Sequence, residues 1–239
     1  MACHNLTVGT ARASTAFGAA EGSDTRLGVA HGVLLSLSTA VLLLGLAVAI
    51  LFTPLFMHPA LDQAGSAAWL GVSSTEVHWL SDQTVTELLL GPATFTFAGL
   101  DGARFYDAAE AAHLSDVRLV LAGFVLVTLL AAGLVAISLA RGWSDRSAWM
   151  ALARGGLGLA VTLASVGVVA VITFDTVFDT FHRILFPGGN WSFDPSSQRL
   201  VQLYPLYFWQ LAAAGLGVLA IGGGLLTWAI ARRRARRLA

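Results

Sequence analysis

Two stretches of the chain each set a histidine among carboxylates at helical spacing: DAAEAAHLSD, residues 107–116, and FDTVFDTFHR, residues 174–183. In the first, Asp107, Glu110, His113 and Asp116 recur every third residue and form one slowly winding polar strip. In the second, Asp175, Asp179 and His182 fall at i, i+4 and i+7 on one face, while Phe174, Phe178, Phe181, Ile184 and Leu185 mark the other side as an interfacial segment would. Each histidine has an aspartate about one turn away, Asp116 after His113 and Asp179 before His182. A carboxylate there fixes an imidazole's tautomer and raises its basicity, which suits a general base. Two such pairs on neighbouring helices could face one site. A plainer reading is a solvated face carrying ordinary helix pairs. A third is a divalent-cation site built from the same side chains, although no H-E-x-x-H spacing is present.

The second histidine runs into FPGGNWSFDP, residues 186–195. Pro187 ends the helix, Gly188 and Gly189 permit positive φ, and Asn190 can cap the next turn. Trp191 and Phe193 suit a membrane-interface anchor. Such a loop would bring backbone N–H groups near His182, where they could serve as an oxyanion hole. It could equally be a plain re-entry turn.

The elements that must position these residues are set by composition. The chain has 239 residues, 56% hydrophobic and only 12% charged, whereas a soluble domain carries roughly 25% charged residues. Four runs, about 28–52, 117–140, 153–173 and 206–230, are long enough to cross ~30 Å of hydrocarbon. The expected architecture is an all-α membrane protein, a four-helix transmembrane bundle. His182 then sits within roughly 10–15 Å of the end of the third span, at ~1.5 Å per residue.

All 14 basic residues are arginine. They cluster in the closing ARRRARRLA and around the second connection, at Arg141, Arg146 and Arg154. By the positive-inside rule those segments are cytoplasmic, with both termini inside, and the connections 53–116 and 174–205 face outward. The outer connections hold 11 of the 14 carboxylates. Residues 1–27 read as a flexible cytoplasmic tail and 231–239 as a basic cytoplasmic tail with affinity for anionic lipid, not as a nucleic-acid signal.

The first outer segment reads as a small α+β cap. LSDQTVTELLLGP offers Ser81 or Asp82 as an N-cap and Gly91-Pro92 as a stop. ATFTFAGLDGARFY alternates and reads as a hairpin. Asp107 and Glu110 have capping-box spacing. His58 and His78 read as loop residues at the surface. The lone Cys3 excludes an internal disulfide and any cysteine-rich zinc site. Glycines in RGGLGLA and IGGGLL suit close helix packing, and no serine elbow or nucleotide-binding loop is present.

FDTVFDTFHRILFPGGNWSFDP, followed by LVQLYPLYFW, resembles the four-span family of lipoprotein intramolecular transacylases, in which a similar F-H-x-I-F-F-P-x-x-N-W-x-F-D-P stretch precedes the last span. EAAHLSDV resembles a second family stretch that opens the second span, with Leu114 where methionine is usual; Leu185 departs from the I-F-F-P run. The resemblance implies transfer of an acyl chain from the diacylglyceryl group of a lipoprotein's N-terminal cysteine to that cysteine's own α-amine. It implies no cofactor and no metal, and places the site at the outer leaflet of a bacterial-type cell membrane. The partners it implies are the diacylglyceryl-modified lipoprotein N-terminus and membrane lipids. His182 is expected as principal base and His113 as its partner, with Asp179 and Asp116 orienting the imidazoles and Asp175 and Trp191 in support. Asn190 and Arg183 or Arg118 are expected as oxyanion or headgroup contacts. The competing functions are a metal-dependent lipid hydrolase using the same His/Asp set and a non-enzymatic envelope adaptor.

Overall fold

The computed structural model describes residues 10–99 and 102–239, with side chains from residue 28 onward. The order of elements is α1 (Thr10–Leu51), α2 (Pro54–Ala64), α3 (Ser66–Leu70), α4 (Ser74–Leu89), α5 (Ala108–Arg141), α6 (Arg146–Leu185), α7 (Arg199–Leu203) and α8 (Leu206–Arg237). Four of these helices are long and apolar enough to cross a membrane: α1 from Gly28, α5, α6 and α8. The tail expected over residues 1–27 falls partly on residues 1–9, outside those described; from Thr10 the backbone already belongs to α1.

Two spans outrun the bilayer. The 34 residues of α5 make about 50 Å at 1.5 Å per residue, against ~30 Å of hydrocarbon. Its charge-free apolar stretch begins only at Leu119, so the turns bearing Glu110, His113 and Asp116 project beyond the span. In α6 the charge-free stretch ends at Phe174. The helix breaks beside that point, at Thr173 (φ −131°, ψ 41°), whose Oγ1 donates to the Val169 carbonyl at 2.9 Å. The segment after the break, ending at Leu185, carries His182.

Small residues let the spans approach. A Cβ on Gly156 of α6 would meet the Gly224 carbonyl of α8 at 2.5 Å, and one on Gly224 would meet the Gly156 carbonyl at 2.5 Å. The sequence motifs RGGLGLA and IGGGLL therefore form one backbone-to-backbone crossing. Ser36 Oγ donates to the Ala151 carbonyl at 2.9 Å, tying α1 to α6. At the end of the bundle opposite the cap, the Arg234 guanidinium lies 5.5 Å over the Trp143 ring. The α5–α6 connection and the arginine-rich end of α8 thus share one face.

The cap is helical, not α+β. α2, α3, α4 and α7 close over a core that includes Leu61, Val77, Phe95, Tyr106, Leu203 and Phe208. The hairpin expected near residues 93–106 reduces, among the described residues, to one antiparallel bridge between Ala98 and Arg104. The reason is visible in the backbone: Ala93 and Phe95 take positive φ (61° and 47°), which interrupts an extended run. Phe95 is thereby turned into the cap core, fully buried, so its burial takes the place of a ladder.

α4 is capped eight residues before Ser81, earlier than the cap expected at Ser81 or Asp82. Its N-cap is Ser73, whose side chain accepts from the Glu76 N–H, a Ser-x-x-Glu signature. Ser81 instead lies buried in mid-helix and receives the Tyr204 hydroxyl at 3.2 Å. Burial pushes the Tyr204 phenol up to about 12, so it stays a donor. His58 and His78 stand on α2 and α4 rather than in loops. Their rings stack at 4.1 Å with 2° between planes. Each also bonds an aspartate of the other helix, His58 to Asp82 at 3.0 Å and His78 to Asp62 at 2.9 Å.

Candidate functional site

His113 and His182 come from elements far apart in sequence and meet beneath the loop that follows α6. Both are buried, 6% and 8% exposed, and their ring centroids lie 6.2 Å apart. The capping box fixes where α5 starts and so sets the height of His113. Asp107 accepts from the Glu110 N–H at 2.8 Å, and Glu110 accepts from the Asp107 N–H at 2.7 Å. The other oxygen of Glu110 accepts from the Leu200 N–H at 2.7 Å. Glu110, only 1% exposed, thus binds the first turn of α5 to α7, one turn before His113.

On α6, His182 bends back along its own helix, and Nδ1 lies 2.8 Å from the Phe178 carbonyl. A carbonyl oxygen can only accept, so Nδ1 carries the proton and Nε2 of the neutral ring presents its lone pair. The expected orienter, Asp179, acts differently. Its carboxylate sits 3.6 Å from Arg183 Nη2, and it only partly offsets the burial that lowers the His182 pKa. Asp175 is exposed two turns earlier.

An aromatic wall surrounds the pair. Phe178 (4.2 Å), Trp191 (5.1 Å), Phe181 (5.3 Å) and Phe186 (5.8 Å) pack on the His182 ring. Phe186 and Phe193 meet the His113 ring edge-on at 4.8 and 5.5 Å. Burial pushes the His113 pKa down to about 4, helped by the neighbouring His182; Asp116 and Asn190 push the other way. Both imidazoles are therefore neutral at neutral pH. His113 Nδ1 is buried without a hydrogen-bond partner among the described residues, which is uncommon for a buried polar atom.

The FPGGN turn reaches across to α5. Gly189 takes φ +75°, a conformation that favours glycine, and the next residue, Asn190, donates from Nδ2 to Asp116 at 2.7 Å. Asp116 thus holds the loop over His113 rather than bonding the ring. Arg118 is engaged elsewhere: its Nη1 donates to the carbonyls of Glu87 (2.6 Å) and Gly91, closing the end of α4. Arg183 is exposed. The role of Glu110 as a tie between α5 and α7 was not legible in sequence, because nothing local predicts that Leu200 lies above it. Among the described residues, no three His, Cys, Asp or Glu are arranged to hold a metal ion.

Comparison with known proteins agrees with this architecture. The chain is similar in structure to the membrane-integral lipoprotein intramolecular transacylase Lit from Bacillus cereus, with a TM-score of 0.78 at 18% identity, covering 89% of this chain and 98% of that one. Two structures of variants of that protein, with a histidine replaced by arginine or by alanine, match with TM-scores of 0.73. Their identities are 17% and 18%, covering 95% and 90% of this chain and 98% and 96% of theirs, respectively. No curated protein matches in sequence. The family model for the lipoprotein intramolecular transacylase Lit matches residues 32–209, a stretch that holds both buried histidines, the aromatic wall and the Asn190 turn. The chain therefore belongs to the lipoprotein intramolecular transacylase family and is a multi-pass membrane acyltransferase.

Proposed function

We propose that the protein moves an acyl chain from the diacylglyceryl group of a lipoprotein's N-terminal cysteine to the α-amine of the same cysteine, with His182 as base and His113 as its partner. The observation that carries this reading is the buried pair itself. His182 has its Nδ1 proton tied to Phe178 and its Nε2 free to accept, 6.2 Å between ring centroids from a His113 whose Nδ1 lacks a partner.

The neutral amine attacks the ester carbonyl and the new N–C bond forms. His182 Nε2 takes the proton that nitrogen sheds. The C–O bond to glycerol then breaks, and the leaving oxygen takes a proton from the imidazole side. The net change is one acyl group moved from O to N and one proton moved from N to O. Donor and acceptor share a molecule, so proximity supplies much of the rate. The aromatic wall excludes water, which would otherwise hydrolyse the ester. Asn190 lies at the rim, where its carboxamide can meet the developing oxyanion.

The arginine-rich face is placed in the cytoplasm by the positive-inside rule. The cap and site then lie at the outer leaflet, where diacylglyceryl chains reside. The exposed Phe181 and Ile184 are suited to lie among those chains.

The test is mass spectrometry of a reporter lipoprotein's N-terminal peptide, in a host that lacks N-acylation and expresses this protein. The wild type is expected to yield the N-acyl, monoacylglyceryl form at unchanged total mass. His182→Ala and His113→Ala, with equal membrane levels, are expected to lose at least ~100-fold in rate. A free amine with the wild type, or full conversion by His182→Ala, would reject the reading. Conversion that a chelator abolishes would reassign the chemistry to a metal.

A further inference from the structure

A cavity of about 400 Å³ opens in the cap beside the start of α5. A second, of about 180 Å³, shares Arg104, Phe105 and Arg199 with it. The larger is also lined by the hydroxyl-bearing Thr94, Thr96 and Ser197. Neither Arg104 nor Arg199 forms an ion pair among the described residues. The carboxylates nearby are already committed. Asp107 accepts from the Glu110 N–H and the Gln198 amide, and Glu110 accepts from two backbone N–H groups. Glu76 lines only the smaller cavity. Two guanidinium groups thus line the cavity alongside Asp107 and Glu110, yet among the described residues neither is ion-paired with a carboxylate.

Its position relates it to the histidines. Asp107, on its wall, precedes His113 by six residues, about 9 Å along the helix at 1.5 Å per residue, on the side away from the span. An extended peptide advances about 3.4 Å per residue. Counted along the helix axis alone, a chain whose N-terminal amine is held at the histidines draws level with this cavity about three residues later.

We infer that this cavity is the peptide subsite of the enzyme, taking the segment that begins about three residues after the acylated cysteine and favouring a carboxylate side chain there through Arg104 and Arg199. The inference rests on the transacylase reading above. It makes the protein selective among lipoproteins by their mature N-terminal sequence, which the chemistry at the histidines alone would not do.

The experiment uses the full chain in vesicles of phosphatidylcholine, with or without phosphatidylglycerol, and three reporter lipoproteins. These differ only at the third to fifth residues after the cysteine, which are Asp, Ser or Lys. Initial rates of conversion are read by mass spectrometry for the wild type and for Arg104→Gln/Arg199→Gln. The wild type is expected to favour the Asp over the Lys reporter by about tenfold, roughly one charge-assisted contact. The double variant should bring that ratio to within about twofold, and an unchanged thermal melt in detergent shows that it folds. An unchanged ratio, or an equal loss on all three reporters, would overturn the inference. So would a rate that follows the phosphatidylglycerol content and ignores the peptide, since the arginines would then serve a headgroup. If the wild type converts no reporter, the transacylase reading itself falls and the subsite with it; a wild type that converts all three equally removes the subsite alone.

Discussion

At the scale of single residues, the site is governed by burial. In the unfolded chain both histidines titrate near 6.5, whereas in the folded protein His182 is lowered and His113 falls to about 4. The neutral forms are therefore the ones the fold favours. That stability is present above pH 6.5 and is lost as pH falls from 6.5 toward 4, where the unfolded chain binds protons that the native site refuses. Thermal melts in detergent should show Tm declining over that window in the wild type and less steeply in His113→Ala. Catalysis should show a different limb. With His113 at about 4 and His182 lowered, the proposed transfer makes the substrate α-amine, with a pKa near 8, the group whose proton loss is expected to set the rate. Initial rates are expected to rise about tenfold per pH unit from 6 to 7 and level off near 8. A plateau already at pH 6.5 would mean that the amine is not the titrating group.

These residues also show what a sequence can carry. Both histidines and their aspartates were legible because helical spacing places them at the ends of apolar spans. The orienting group on His182 was not. Every helical residue has a carbonyl four positions back, and only the bend of the ring selects Phe178 over Asp179. Arg118 illustrates the converse: its place near His113 in sequence says nothing of the unsatisfied carbonyls at the end of α4 that capture it.

At the scale of elements, the site depends on joints rather than on the helices themselves. The Asn190–Asp116 bond joins the turn after α6 to α5. If its role is to hold that turn over His113, the two partners act as one unit. Asn190→Ala, Asp116→Ala and the double variant should then lose similar activity, with a coupling of about 0.5–1.5 kcal/mol in a double-mutant cycle of initial rates. Additive losses would show that each residue acts alone. The Glu110 joint is more costly to break. Glu110→Ala strips the Leu200 N–H of its acceptor in the buried interior, and an unsatisfied buried group costs about 1–3 kcal/mol. Its Tm should fall by several degrees, and Glu110→Gln, which keeps one acceptor oxygen, should recover part of the loss. The capping box was legible in sequence because it is local. The tie to α7 and the reduced hairpin were not, since both depend on which distant surface each segment buries.

For the whole molecule, the crossing of α6 and α8 is held by backbone contact at small residues. Gly156→Leu or Gly224→Leu places a side chain where a carbonyl already stands 2.5 Å from the Cβ position. Overpacking of that kind costs about 1–3 kcal/mol. Lower yields of monodisperse protein and a lower Tm in detergent are expected, with Gly217→Leu, whose Cβ would meet nothing within 4 Å, as the tolerant control. The orientation is open to a direct check. With Cys3 replaced by serine, Gly188→Cys should react with a membrane-impermeant maleimide applied to intact cells, and Arg237→Cys should react only after lysis. The reverse pattern would invert the topology. The bundle itself was readable from hydropathy alone, because a bilayer imposes length and polarity on every span.

The break at Thr173 has a mechanical consequence. A rigid span that tilts to match a thicker or thinner bilayer sweeps its far end sideways, and a catalytic group fixed to that end would travel with it. Here the span ends at a joint, while the segment beyond it is anchored to its own loop by the His182–Trp191 contact, and that loop to α5 by the Asn190–Asp116 bond. A change of span angle is therefore expected to bend the joint at residue 173 rather than to alter the distance between the two imidazoles in a thicker or thinner membrane.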